Sequence, residues 1–234
     1  MTKKFLIIFA AALFVTAVPA FALTLMDDDT VTLPVDTDTT LYLSKFDTAM
    51  GTLTGVWVQV ELRLSNSSVE LDNDAAGAQN GTAYVINTAS SLTSSVSLVK
   101  VGFSDTINNG DLTLNATHVF NLAGTTGDPI GFTATLLGDY AHWQPSTLTS
   151  GDSGNIDGAV WSGYEGTGDF TITVNTTYLT SATFVGNDGY FQGNTPNGEL
   201  YGKVVYTYDP VPEPATISLL CVGALAFLKR KNSK

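Results

Sequence analysis

The sequence predicts an all-β protein, an antiparallel β-sandwich for which a jelly-roll-like form is one option, with a helix at each end. Apolar and polar residues alternate along runs rich in Val, Thr, Leu, Ile, Tyr and Phe, which is typical of strands with one buried face. Gly, Asn and Asp interrupt these runs at short intervals and indicate turns. Away from the ends, no apolar repeat of three and four residues lasts beyond two helical turns, so we expect many short strands.

The first 22 residues have the layout of a secretory signal peptide. A basic start is followed by an apolar stretch at residues 5–18 and by the small residues Ala20 and Ala22 in an A-x-A-like arrangement. We predict a signal helix here, and cleavage that leaves Leu23 as the new N-terminus. An uncleaved N-terminal membrane anchor is the alternative.

Residues 23–210 are predicted to form one β-sandwich domain. The chain's one cysteine, Cys221, lies beyond them, so no disulfide can stabilise this body and thiol chemistry is excluded from it. A hydrophobic core must hold it together, and roughly 190 residues are ample for one.

The body is strongly acidic. Between Leu23 and Asp209 the chain has 4 Lys and Arg against 21 Asp and Glu, a net charge of −17. Such a surface repels nucleic-acid phosphates and anionic lipid headgroups, so we expect no nucleic-acid partner. The charge favours solubility, and it would also attract cations.

The clearest strand signal is TLTGVWVQVELRL at residues 52–64. Its two faces alternate in polarity, with Val56, Val58 and Val60 on one and Trp57, Gln59 and Glu61 on the other. Further strands are predicted at residues 95–103, 111–122, 169–179 and 203–209. Residues 72–83 are predicted to be a loop from the spacing of Gly and Asn, and the longer stretch 137–168 is predicted to be rich in loops.

The last 24 residues, 211–234, differ in kind from the body. Ala215–Leu228 is a predominantly apolar run, which as a helix would span roughly 21 Å against a hydrocarbon core of about 30 Å. We predict a short C-terminal transmembrane helix. The basic residues Lys229, Arg230 and Lys231 would stay on the cytoplasmic side, which leaves the body outside the inner membrane.

Two prolines flank Glu213, and neither can propagate a helix, so Pro212, Glu213 and Pro214 are predicted to stay extended at the membrane surface. VPEP, a short apolar run and LKRK, in this order at the C-terminus, resemble the PEP-CTERM protein-sorting signal. The resemblance implies recognition by a membrane peptidase called an exosortase, transient anchoring in the inner membrane, removal of the tail, and delivery to the cell surface or extracellular matrix. A plain single-pass anchor is the alternative.

A second resemblance covers most of the body. SKFDTAMGTLTGVWVQVEL is similar to the opening of the choice-of-anchor E domain, where Phe-Asp and a short spacer precede Gly-Thr-Leu-Thr. The matching residues are Phe46, Asp47, Gly51, Thr52, Leu53 and Thr54. YEGTGDFTITV and GKVVYTYDPVPEP are similar to that group's closing strands, whereas Thr48 stands where the family usually has Pro. This resemblance implies no activity.

Three acidic stretches offer oxygen ligands for a hard cation such as Ca²⁺. The main candidate site is Asp152, Asn155 and Asp157, and the weaker ones are Asp72 with Asp74 and Asp27 with Asp28 and Asp29. The first misses the EF-hand spacing by one residue and lacks its closing Glu. Ordinary turns are the alternative, since Asp and Asn bond to the turn backbone. No other cofactor is predicted.

Aromatic residues in the stretch 137–168 suggest carbohydrate contact. Trp143 and Trp161 lie near its two ends with Tyr140 and Tyr164 beside them, and the alternative is that all of them cover the core.

Signals for catalysis are weak. His118 and His142 are the only histidines, and no G-x-S-x-G is present. No acid pair for glycoside hydrolysis can be chosen among so many acidic residues.

The sequence therefore predicts an exported, non-enzymatic β-sandwich, sorted by its tail and structural or adhesive in a polysaccharide matrix. A carbohydrate-binding surface module is the alternative, and a secreted hydrolase is the third.

Overall fold

The computed structural model describes residues 22–34, 37–102, 106–107, 112–124, 138–184, 189–194 and 197–211. These residues form strands and one short 3-10 helix, Gly158–Gly163. The strands are β1 (Leu23–Leu33), β2 (Asp38–Ser44), β3 (Gly51–Ser65), β4 (Val69–Asn73), β5 (Gln79–Ser94), β6 (Thr113–Leu122), β7 (Tyr140–Trp143), β8 (Leu148–Asn155), β9 (Asp169–Phe184), β10 (Gly189–Gly193) and β11 (Asn197–Pro210).

The strands pair into three sheets. Sheet I has the order β1-β11-β3-β8, sheet II has β2-β9-β5-β6, and sheet III has β10-β4-β7. Every pairing between these strands is antiparallel. The prediction of an antiparallel all-β body is thereby confirmed, and the arrangement is consistent with a β-sandwich.

One hydrophobic core runs between the sheets, and its buried residues all lie between Leu33 and Tyr208. β3 supplies a continuous row, because Val56, Val58 and Val60 are buried while the residues between them are partly exposed. The predicted alternation of this strand is therefore confirmed. Each such valine stabilises the fold by about 1.5–3 kcal/mol relative to an exposed one.

A ring cluster closes one end of the core. Phe46, in the turn between β2 and β3, is buried, with its centroid 5.7 Å from that of Tyr206 and 5.1 Å from that of Tyr208. The Tyr206 hydroxyl donates a hydrogen bond to the Ser44 carbonyl at 2.8 Å. β2 of sheet II is thus tied to β11 of sheet I at this end.

Two predicted elements were wrong. Residues 137–168 are not one loop, since they contain β7, β8 and the 3-10 helix. The predicted strand at residues 95–103 makes only isolated bridges in the part described, at Val99 and Lys100. In β7 and β8, backbone pairing with neighbouring strands overrides the local sequence preference. The predicted loop at residues 72–83 is a short turn between Asn73 and Gln79.

The predicted signal helix and the predicted C-terminal transmembrane helix lie outside the described residues. Within the ranges that the structure describes, no helix has the length and apolar character needed to cross a membrane.

Candidate functional site

The last strand of the body runs directly into the predicted sorting tail. β11 lies between β1 and β3, and just beyond it the Val211 amide donates to the Met50 carbonyl at 3.0 Å. Gly51 permits this close approach, because a Cβ there would lie 2.1 Å from the Asp209 carbonyl oxygen. The backbone is therefore held to residue 211, immediately before Pro212.

The functional residues of the tail itself lie outside the described part of the chain. These are the motif Pro212, Glu213 and Pro214, the apolar run Ala215–Leu228, and the basic residues Lys229, Arg230 and Lys231.

The predicted signal cleavage site lies at the same end of the body as the tail. β1 begins at Leu23, which pairs with Tyr208 near the end of β11. Ala22 is exposed, and Ala20 lies outside the described residues. We call this end the exit pole, formed by the start of β1, the turn at residues 45–50, the turn at residues 163–168 and the end of β11.

Acids of the MDDDT stretch bind backbone rather than each other. The Asp27 carboxylate accepts a hydrogen bond from the Ser44 amide at 2.7 Å, and Asp29 accepts one from the Tyr42 amide at 3.1 Å. Both amides belong to β2, an edge strand of sheet II. The two carboxylates thus join β1 to β2 and cover a strand edge that would otherwise be open to pairing.

The main calcium candidate is spread over two faces of a strand and a helix cap. Asp152 and Asn155 lie on β8, where an odd spacing places side chains on opposite faces. Asp152 forms an ion pair with Lys100, and Asp157 caps the 3-10 helix by accepting from the Ala159 amide at 2.9 Å. The structure does not bring the three oxygens together, and a calcium site here stays a prediction.

The Asp72–Asp74 stretch lies where β4 of sheet III ends and a partly exposed turn begins. Asp72 and Asn73 are buried at the end of β4, and Asp139, which sequence reasoning missed, is buried next to them. The side-chain nitrogen of Asn73 donates hydrogen bonds to the carbonyls of Gly77 and Ala123. The backbone N–H of Asn73 donates to the carbonyl of Asp139. This network joins three segments of the chain, while the described residues contain no group of three or more His, Cys, Asp or Glu placed to hold a metal ion.

Trp143 and Trp161 both pack against the hydrophobic core. Trp143, on β7, stacks on His118 with centroids 5.4 Å apart and an interplanar angle of 17°. The Trp161 indole donates to the Ile156 carbonyl at 2.9 Å. These contacts favour the alternative in which the two rings cover the core. His142 is exposed on β7.

Two tyrosines near the exit pole are held by hydrogen bonds and burial. The Tyr164 hydroxyl donates to the Ser97 carbonyl at 2.7 Å, as Tyr206 does to Ser44. Burial is the main cause that raises the pKa of both hydroxyls well above the usual value.

Tyr140 lies on β7 of sheet III. Burial, and after it the nearby carboxylate of Glu70, raises the pKa of its hydroxyl.

Sheet I carries a polar outer face with two partly exposed rings, which the sequence does not predict to lie together. Trp57 on β3 and Tyr201 on β11 both lie on this face. Arg63 lies over the Tyr201 ring at 4.3 Å from its centroid and pairs with Glu61 at 2.7 Å. The alternation of β3 predicted the side on which Trp57 lies, but only the pairing with β11 shows that Tyr201 shares it.

Residues 210–231 match the PEP-CTERM protein-sorting motif. This supports the sorting-signal interpretation of the tail, and it indicates export and delivery to the cell surface through a membrane-associated exosortase. A comparison with curated proteins gives no match.

Solved structures give only distant similarity. The chain is 11% identical to an empty head of Turnip Yellow Mosaic Virus, covering 83% of this chain and 84% of that one with a TM-score of 0.22. It is 10% identical to the STIV MCP, covering 82% of this chain and 49% of that one with a TM-score of 0.25. A third similarity, to infectious bursal disease virus, has 12% identity, coverage of 83% and 38%, and a TM-score of 0.20. Such scores support no inference about fold or function.

Proposed function

We propose that this protein is an exported substrate of an exosortase whose β-sandwich has a structural or adhesive, non-enzymatic role in a polysaccharide matrix. The signal peptide would be removed before Leu23, and the tail would anchor the body briefly in the inner membrane. Cleavage at the tail would then pass the body to the cell surface.

The observation that carries this proposal is the position of the matched sorting motif. It begins at Pro210, the last residue of β11, so that every core residue in the described part of the chain precedes it. A tail that follows the core residues in sequence would be recognised and removed without unfolding the body. The exported unit would then be the sandwich alone.

The choice-of-anchor E resemblance supports the same proposal for the body. Two of its residues have clear structural roles: Phe46 packs against Tyr206 and Tyr208, and Gly51 permits close approach to Asp209. These roles explain why Phe and Gly suit these positions. They assign no ligand, and membership of that group stays a prediction.

Cell fractionation with mass spectrometry of both chain ends tests the proposed sorting. We expect the surface protein to begin at Leu23 and to lack Lys234. Glu213→Ala should leave folding unchanged and cause tailed protein to accumulate in the membrane, because the motif lies beyond the last strand. Neutral residues at 229–231 should instead weaken retention and orientation. Glu199→Ala, at an exposed acid on β11, is the matched control.

Two results would contradict the sorting proposal. Surface protein that keeps Lys234 would make the tail a permanent anchor. Exported protein that still begins at Met1 would exclude removal of the signal peptide.

Carbohydrate binding is the second candidate function, and the outer face of sheet I favours it. Sugar rings stack on exposed aromatic faces, and Trp57 is partly exposed on this face. Tyr201 lies four residues away along the paired strands, about 13 Å at the rise of a strand, but Arg63 already covers one side of its ring. Gln59 and Asn155, at partly or fully exposed positions on the same face, supply neutral polar groups between or beside the rings. We propose this face, rather than Trp143 and Trp161, as the place to look for such binding.

Affinity electrophoresis in gels containing the cell's own polysaccharide tests this second candidate. Trp57→Ala should abolish any retardation, whereas Trp161→Phe should preserve it. Unretarded migration of the wild-type body would exclude the candidate.

A further inference from the structure

We infer that the exit pole faces the lipid bilayer directly while the tail is attached, and that its negative charge separates the body from the membrane once the tail is removed. This inference rests on the proposed sorting function. It concerns a surface of the folded body and the lipid surface that meets it.

The first step is the absence of a spacer between fold and tail. The Val211 amide is still bonded to the Met50 carbonyl, and the apolar run begins at Ala215. Four extended residues reach at most about 14 Å. The headgroup layer on one side of a bilayer is about 5–8 Å thick, the difference between the full and hydrocarbon thicknesses shared by two leaflets. The exit pole therefore lies at or next to the headgroups.

The second step is the charge of the pole. Two positive groups, Lys45 and the α-amino group that signal-peptide removal creates at Leu23, lie among four acids in the two turns and at the adjoining strand ends. These acids are Asp47, Glu165, Asp169 and Asp209. Backbone contacts hold these segments together, since Lys45 bonds to Gly168 and Phe46 pairs with Glu165.

Anionic headgroups repel this net negative end over a screening length of about 8 Å at physiological ionic strength. Among the described residues, the large exposed apolar side chains of this pole are Leu23 at 46% and Val211 at 56% exposure, and Met26 lies three residues further along β1. Two such side chains do not make an insertion surface. The bilayer contact therefore depends on the tail, and loss of the tail frees the body.

The third step is the opposite end of the body, which provides a control. Thr32 is exposed near the end of β1 and pairs with Glu199 near the start of β11. Because β11 ends at Pro210, the far end at Glu199 lies about 36 Å from the exit pole at 3.3 Å per residue. No lipid-bound probe at the bilayer surface should reach it.

The first experiment uses single cysteines in the tailed protein with Cys221→Ser, because the body has no cysteine of its own. Ala49→Cys labels an exposed position at the exit pole and Thr32→Cys labels the far end. Each carries an environment-sensitive fluorophore in vesicles of phosphatidylethanolamine and phosphatidylglycerol. A lipid-confined nitroxide should quench most fluorescence at residue 49 and little at residue 32. Equal quenching at both positions would overturn the orientation.

The second experiment tests release with the body alone, residues 23–211, which contains every core residue that the structure describes. It should not sediment with the same vesicles at low salt. Asp169→Lys with Asp209→Lys should produce sedimentation that salt reverses. The control Asp28→Lys with Glu199→Lys, at exposed positions of sheet I, should sediment less.

Sedimentation of the wild-type body, or equal sedimentation of both double variants, would overturn the charge argument. Failure of sorting appears separately, as retention of Lys234 on surface protein.

Discussion

β3 and β8 are neighbours in sheet I, yet only β3 is visible in the sequence. β3 lies inside the sheet, between β11 and β8, and its buried residues alternate with partly exposed ones. β8 is an edge strand with the sequence LTSGDSGN, which has almost no preference for strand structure. A strand whose side chains fill the core therefore has a recognisable alternation of apolar and polar residues in the sequence. An edge strand can lack that alternation, because backbone pairing alone can hold it.

β8 also depends on a residue that lacks a side chain. A Cβ at Gly151 would lie 2.8 Å from the Val60 carbonyl oxygen of β3, whereas one at Gly154 would meet the aliphatic part of Lys100 at 3.1 Å. Backbone cannot move aside as a flexible lysine can. The glycine that argues against a strand in the sequence is the one that lets β8 approach β3.

The largest expected effect is a difference in stability between truncating a buried leucine on β3 and truncating a partly buried leucine on β8. Leu62→Ala on β3, where the side chain is fully buried, should lower the free energy of unfolding by about 2–5 kcal/mol. Leu148→Ala on β8 is the control, and should cost less because Leu148 is only partly buried. Urea denaturation followed by tryptophan fluorescence measures both, and equal losses would contradict the comparison.

The next effect lies within β8. Gly151→Ala should lower the free energy of unfolding by about 1–3 kcal/mol, the usual cost of overpacking. Gly154→Ala should cost clearly less, because Lys100 can shift. Thermal melts of the two variants beside the wild type decide this. A larger loss of stability for Gly154→Ala would mean that the close backbone contact between Gly151 and β3 does not limit which residues β8 can accept.

A third effect concerns Tyr206, which ties β11 to β2. Tyr206→Phe removes the 2.8 Å hydrogen bond from the buried Tyr206 hydroxyl to the carbonyl of the exposed Ser44, at a cost of about 0.5–1.5 kcal/mol. Tyr42→Phe, at an exposed ring, is the matched control and should change little. Chemical denaturation at neutral pH measures both variants.

Burial raises the pKa of Tyr206 in the folded state, so the hydroxyl keeps its proton there after unfolded chains have begun to lose theirs. Its contribution to stability is complete below pH 10 and is lost as the pH rises above 10 towards the folded pKa. Stability should therefore fall in alkali, and less steeply in Tyr206→Phe. An identical pH slope in the variant would contradict this assignment.

The smallest effect is expected for the ion pair beside β8. Lys100→Met removes the charge that pairs with Asp152 but keeps much of the aliphatic chain. Partly exposed pairs contribute about 0–1 kcal/mol and weaken with salt. Melting temperatures at low and high salt should therefore differ more for the wild type than for the variant. A loss well above 1 kcal/mol would mean that Lys100 holds the edge strand in place.

The strands that the sequence predicts best are those with a regular burial pattern. β3, β9 and β11 alternate clearly, and each overlaps a predicted strand. The three acids of β1 make it a weaker candidate cation site in the sequence. In the structure Asp27 and Asp29 are strand residues whose carboxylates accept hydrogen bonds from β2. Local composition could not reveal this, because the bonded amides lie 13 and 17 residues away.

The aromatic candidates show the same limit. Trp143 and Trp161 are near each other in sequence, yet one stacks on His118 of β6 and the other bonds to Ile156. Trp57 and Tyr201 are 144 positions apart in the numbering and share one face through the pairing of β3 with β11. Strand pairing, which no single segment encodes, decided which rings share a surface.

The sequence by itself determined the antiparallel all-β class and the sorting motif at residues 210–231. Both are local properties, since alternation has a period of two residues and the motif is contiguous. Only the tertiary structure decided that β8 is a strand, that Asp27 and Asp29 join two sheets, and that Leu23 and Val211 meet at one pole. Each of these depends on hydrogen bonds between segments far apart in the chain. Which segments pair is decided when the whole core packs, and no single segment encodes it.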